Sequence, residues 1–102
     1  MTAQYIYDST YETEERMNQS APIDDARSAI YGECAAEGLI VKTNQTVEGL
    51  VKTVTITYVN EAAFYEHMNR IKAVPVAITD DGFTCGNYRL VQDDGTTITF
   101  ED

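Results

Sequence analysis

The stretch "LVKTVTITYVNEAAFYEHMNRIKA", residues 50–73, changes its hydrophobic period half-way along, and that change decides the fold class. In its first half Leu50, Val54, Ile56 and Tyr58 face one way, and Thr53, Thr55 and Thr57 the other. This is the period of two expected of a strand with one apolar face. The threonine face is expected to be solvated or lightly covered. After Asn60 the spacing becomes helical. Phe64, Met68 and Ile71 form a buried stripe, with Ala63 and His67 at its edge. Asn60 is the expected N-cap, Glu66 and Arg70 the expected i,i+4 pair, and Pro75 the stop.

Working outward toward the N-terminus, "AQYIY" (3–7) reads as a strand. Ser9 and Glu12 are spaced as a capping box, which predicts a short helix over 10–18 with Glu12 one turn from Arg16. Pro22 closes that segment or opens the next. Ile23, Ala26, Ile30 and Cys34 then fall on one helical stripe, so a helix is expected from Ile23 to about Glu37. Asp24 and Asp25 suit its first turn, and Gly38 suits its C-cap. Glu33 and Glu37 are like charges at i,i+4 and should repel unless a partner or cation neutralises them. "LIVKT" (39–43) reads as a strand and "NQTVEG" (44–49) as a connection.

Toward the C-terminus the pattern is strand, turn, strand, turn, strand. "PVAIT" (75–79), "FTCGNYRLV" (83–91) and "TTITF" (96–100) are separated by Asp80-Asp81-Gly82 and Asp93-Asp94-Gly95. Asp-Gly between β-rich runs is a hairpin signal, because the turn needs residues that tolerate positive φ. Gly86 suggests a bulge or bend. Two turns at opposite ends of a nine-residue strand stand roughly 30 Å apart, so the aspartate doublets are expected to serve as turns and not as one metal site.

The chain has 102 residues, 43% of them hydrophobic, and is expected to be a single domain. Seventeen acidic against seven basic residues give a net charge of −10. Such a surface disfavours direct nucleic-acid or membrane binding and favours a basic protein surface as partner. Cys34 and Cys85 lack CxxC spacing and are expected to be free thiols in a reducing cytoplasm. Residues 1–16 do not read as a leader, and no apolar run is long enough to span a membrane. The sequons at 18–20 and 44–46 read as loop residues.

No nucleotide loop, zinc-protease motif or hydrolase elbow is present, and no cofactor or metal is implied. His67 is the only histidine and reads as a boundary residue. Cys34 and Cys85 read as packed, inert thiols. Tyr5, Tyr7 and Tyr11 cluster near Glu12, Glu14 and Glu15. Tyrosines beside carboxylates suit a partner bearing Arg or Lys, and Glu33 and Glu37 extend the candidate partner-binding set.

The element order β-α-β-β-α-β resembles a ferredoxin-like α+β sandwich: a mainly antiparallel sheet, two helices on one face, and a C-terminal hairpin extension. The leading expectation is a non-catalytic acidic protein-binding module. It would be a regulator or inhibitor engaging a basic surface, similar in composition to accessory proteins of phages or mobile elements. The first alternative is a dimeric ferredoxin-like small-molecule enzyme or ligand sensor, with a pocket between sheet and helices and His67, Tyr58 or Tyr88 as its polar groups. The second is a structural self-associating subunit, and a homodimer is compatible with all three.

Overall fold

The computed structural model describes residues 2–18, 22–73 and 83–100, with the backbone alone for 22–26. The elements are β1 (Ala3–Tyr11), α1 (Glu14–Met17), α2 (Pro22–Ala36), β2 (Ile40–Glu48), β3 (Val51–Tyr58), α3 (Glu61–Lys72), β4 (Phe83–Gln92) and β5 (Thr97–Thr99). The five strands form one antiparallel sheet in the order β2-β3-β1-β4-β5. The fold is therefore mixed α+β, as its patterning predicts. The expected strand over 75–79, the Asp80-Asp81-Gly82 turn, Glu101 and Asp102 lie outside the described residues. Besides β3, the neighbour of β1 is the strand begun by Phe83.

The change of period at Asn60 is realised as expected. Asn60 is extended (φ −163°), and its side chain accepts from the Ala63 N–H at 2.8 Å. Val54, Ile56 and Tyr58 are buried on the inner face of β3, and Ala63, Phe64 and His67 on α3. Ile30 and Cys34 of α2, Ile40 of β2 and Leu90 of β4 complete the core. Each large side chain buried in this way contributes roughly 1.5–3 kcal/mol. Leu50, expected on the inner face, sits in the β2–β3 turn and is 38% exposed. On the threonine face Thr53 and Thr55 are half-buried, in line with the light cover expected, and only Thr57, 5% exposed, is fully covered.

Two expected boundaries are corrected. The capping box at Ser9 and the helix over 10–18 give way to a longer β1. Thr10 and Tyr11 pair with β4, and the Tyr11 N–H donates to the Leu50 carbonyl at 2.9 Å. The helix starts later, with Thr13 as its cap. Residues 44–48 are not a connection. They continue β2 along β3, from Asn44 opposite Thr55 to Glu48 opposite Val51, and Gly49 (φ 62°) makes the turn. A polar edge strand resembles a loop in sequence, and its backbone pairing takes precedence over composition.

The second Asp-Asp-Gly is a turn, as expected. Gly95 has φ 89°, and the Asp94 carboxylate accepts from the Thr96 N–H at 2.8 Å. Asp93 accepts from the backbone and side chain of Thr2 at 2.8 and 2.6 Å. Between Ile6 and Asp8 the register of β1 against β4 shifts by one residue. The extra residue lies beside Gly86, and Asn87 takes the left-handed conformation (φ 58°). The Asn87 amide donates to Asp8 at 2.9 Å. This bulge lets both Cys85 and Tyr88 face the helices, although their numbers differ by three.

Candidate functional site

Alternation along β1 turns Tyr5, Tyr7, Ser9 and Tyr11 toward the helices. They form one wall of a cavity of about 1110 Å³. β2 adds Thr43 and Gln45, and β3 adds Lys52, Val54 and Ile56. Phe83, Cys85 and Tyr88 come from β4. Arg27, Ser28 and Tyr31 of α2, with His67, Met68 and Ile71 of α3, lie opposite. The wall is strongly aromatic. Tyr5 packs 5.6 Å from Tyr7 and 6.1 Å from Tyr88, and Tyr7 lies 5.9 Å from Tyr88. Burial raises the Tyr5 and Tyr7 phenols, Tyr7 to about 12, while the charge of Arg27 pulls both the other way. Both are thus neutral hydrogen-bonding groups at neutral pH.

His67 is 3% exposed, so it is not the boundary residue its place in the stripe suggests. Its Nδ1 shares a 2.5 Å hydrogen bond with the hydroxyl of Tyr58, which is fully buried. Its Nε2 is buried and has no partner among the described residues. Burial, and then the charge of Arg70, holds the imidazole below its ordinary pKa, so it is neutral at pH 7. Burial likewise pushes the Tyr58 phenol up and keeps it protonated. Tyr31 lies edge-on to the imidazole at 6.3 Å, and its hydroxyl is 2.5 Å from that of Thr43. On the same side of the sheet, the Ser9 hydroxyl lies 3.3 Å from the Cys85 thiol.

The sequence-predicted partner-binding residues separate. Tyr5, Tyr7 and Tyr11 line the cavity, whereas Glu12, Glu14 and Glu15 are exposed at the corner between β1 and α1. Glu33 is exposed on α2. Glu37 is engaged within the chain: Arg70 donates to both its oxygens, at 2.5 and 2.8 Å, tying the end of α2 to α3. The cation that relieves the Glu33–Glu37 repulsion is therefore the chain's own. Arg70 also lies 3.7 Å from Glu66, the expected i,i+4 partner. Among the described residues, no three of His, Cys, Asp and Glu are grouped to hold a metal ion, and no helix is long and apolar enough to cross a membrane.

Sequence reasoning did not find Arg27, Tyr31 and Lys52. The usable signal was the inward alternation of Tyr5, Tyr7, Ser9 and Tyr11, which marks a strand face too polar for plain core.

The class defined at this level is an α+β domain with an aromatic cavity between an antiparallel sheet and its helices. The sequence matches no protein-family model and no curated protein. Solved structures do match in fold. One is MupZ from Pseudomonas fluorescens, with a TM-score of 0.51 and 10% identity over 70% of this chain and 55% of that one. This chain thus spans little more than half the length of MupZ. Another is SnoaB from Streptomyces nogalater, a cofactor-independent oxygenase, with a TM-score of 0.46 and 13% identity over 93% of this chain and 95% of that one.

The expectation of a non-catalytic acidic binding module is corrected by these findings. It needed Tyr5, Tyr7 and Tyr11 as an outward surface beside carboxylates, and they form the wall of a cavity. A pocket between sheet and helices is the feature that the alternative, a small-molecule enzyme or ligand sensor, called for.

Proposed function

We propose that this chain is a small-molecule enzyme of ferredoxin-like architecture that moves a proton on a ring-bearing ligand held in the cavity. The supporting observation is His67: a neutral imidazole on the cavity wall, bonded through Nδ1 to Tyr58 and, among the described residues, unpaired at Nε2. Buried polar atoms are almost always paired, and an orphan beside a cavity is a natural hydrogen-bonding point for a ligand. With Nδ1–H donating to the Tyr58 oxygen, the Nε2 lone pair is free to accept a proton. The imidazolium so formed keeps the same Nδ1–H bond, so proton uptake and return need no rearrangement at Tyr58. Tyr58 is a positioning residue, and His67 is the group that meets the ligand. Nε2 is sealed from solvent in this structure, so the lining must shift for a ligand to reach it.

The test is hydrogen exchange in D₂O. A panel of bicyclic aromatic ketones with acidic C–H groups is incubated with wild type and with His67→Ala, and loss of the C–H signal is followed by proton NMR. Wild type should accelerate exchange for at least one bound compound, and His67→Ala should abolish that acceleration. Compounds that bind yet exchange equally with both proteins would reduce the reading to a ligand-binding domain.

A further inference from the structure

The cavity reverses the sign of the protein that contains it. The chain carries 17 acidic residues against seven basic ones. The described residues lining the cavity nevertheless include Arg27 and Lys52 and not one aspartate or glutamate. Arg27 is exposed on α2, and among the described residues no carboxylate pairs with it. Its field reaches the tyrosine wall, since it offsets the rise in both Tyr5 and Tyr7. Lys52 extends from β3 so that its ammonium lies 5.6 Å from the centre of the Tyr11 ring. A third cation lies beside the wall, with the Arg16 guanidinium 4.8 Å from the ring centre of Phe83.

We infer, building on the small-molecule reading above, that the cavity selects an aromatic ligand bearing a negative charge, a carboxylate or its equivalent. The ring lies among Tyr5, Tyr7 and Tyr88, and the anionic group meets Arg27 and Lys52. Two physical arguments carry this. First, Arg27 and Lys52 line the cavity without an aspartate or glutamate among the described lining residues, so an anion gains from them at contact, whereas a neutral or cationic ligand gains nothing. Second, at physiological salt the Debye length is about 8 Å, so the distant carboxylates are screened while the lining cations act at contact. A planar guanidinium suits bidentate binding of a carboxylate, and an ammonium beside it adds a point charge.

The experiment uses three probes of matched shape: 2-naphthoate, 2-naphthamide and 2-naphthylmethylamine. Affinities are measured by ligand-observed NMR with wild type, Arg27→Gln, Lys52→Gln and the double variant. Both substituted side chains are solvent-accessible or half-buried, and circular dichroism checks that the fold is unchanged. Naphthoate should bind wild type roughly three- to thirty-fold more tightly than the amide, the range expected for two partly exposed ion pairs. The amine should bind most weakly. Each single variant should reduce the naphthoate preference, and the double variant should remove it. Equal binding of naphthoate and amide to wild type, or a preference that survives in the double variant, overturns the anion selectivity but leaves the small-molecule reading standing. Failure of all three probes to bind at millimolar concentration overturns both.

Discussion

Tyr58→Phe deletes one oxygen atom from the centre of the protein. The ring remains and keeps its edge contact with Phe64 at 5.6 Å. What disappears is the 2.5 Å bond to Nδ1 of His67, whose other nitrogen already lacks a partner among the described residues. The substitution therefore leaves both imidazole nitrogens unsatisfied in a buried site. Stranding a buried polar group costs about 1–3 kcal/mol. In a domain of this size each kcal/mol lowers the melting midpoint by roughly 4–8 °C. His67→Phe alone should cost a similar amount, because it strands the Tyr58 hydroxyl instead. The double variant removes both polar partners and leaves two rings of nearly the original shape, a change that can be close to neutral. The double-mutant cycle should therefore close with a coupling of about 1–3 kcal/mol, where independent sites would add to within about 0.5 kcal/mol. Urea titrations followed by circular dichroism measure it, with tyrosine fluorescence as a second probe, since the chain has seven Tyr and no Trp. Additive losses, or a Tyr58→Phe protein as stable as wild type, would refute the claim that these two groups act as one unit.

Because the His67 pKa is depressed below its ordinary 6.5, the unfolded chain binds the proton more readily than the folded one. Stability should be complete above pH 6.5 and fall as the pH drops below it. The depressed carboxyls Asp8, Glu37, Asp93 and Asp94 act only below their ordinary values of 3.8 and 4.5, so His67→Phe should flatten the stability profile between pH 4.5 and 6.5. Chemical denaturation at a series of pH values reads this directly. Asn60→Ala removes the cap of α3 and should cost about 1 kcal/mol, seen as a lower urea midpoint with an unchanged slope.

The parts of the fold legible in sequence were those set by local chemistry. The threonine alternation, the Asn60 cap, the α3 stripe, the Gly38 stop (φ 80°) and the Asp93-Asp94-Gly95 turn all depend on residues within a few positions of one another. What failed depended on distant strands. Ser9 resembles a helix cap, yet its hydroxyl meets Cys85, 76 residues away. "NQTVEG" resembles a loop, yet β3 supplies its backbone partners. The candidate site suffered most, because four sheet strands and two helices must come together before Tyr5, Tyr31 and His67 share a cavity. His67 stood out as the sole histidine, but its bond to Tyr58 joins a helix to a strand, and no periodicity within either element reveals it.

The extra residue in β4 divides that strand into two halves of opposite phase. Removing Asn87 would straighten the strand into plain alternation and keep Cys85, Tyr88 and Leu90 on the helix side, whereas removing Arg89 would leave either Tyr88 or Leu90 facing outward. A codon lost at the bulge is thus absorbed by the ladder, whereas one lost two residues further on would misplace part of the interior. Changes of length along this strand are therefore tolerated at the bulge and not beyond it.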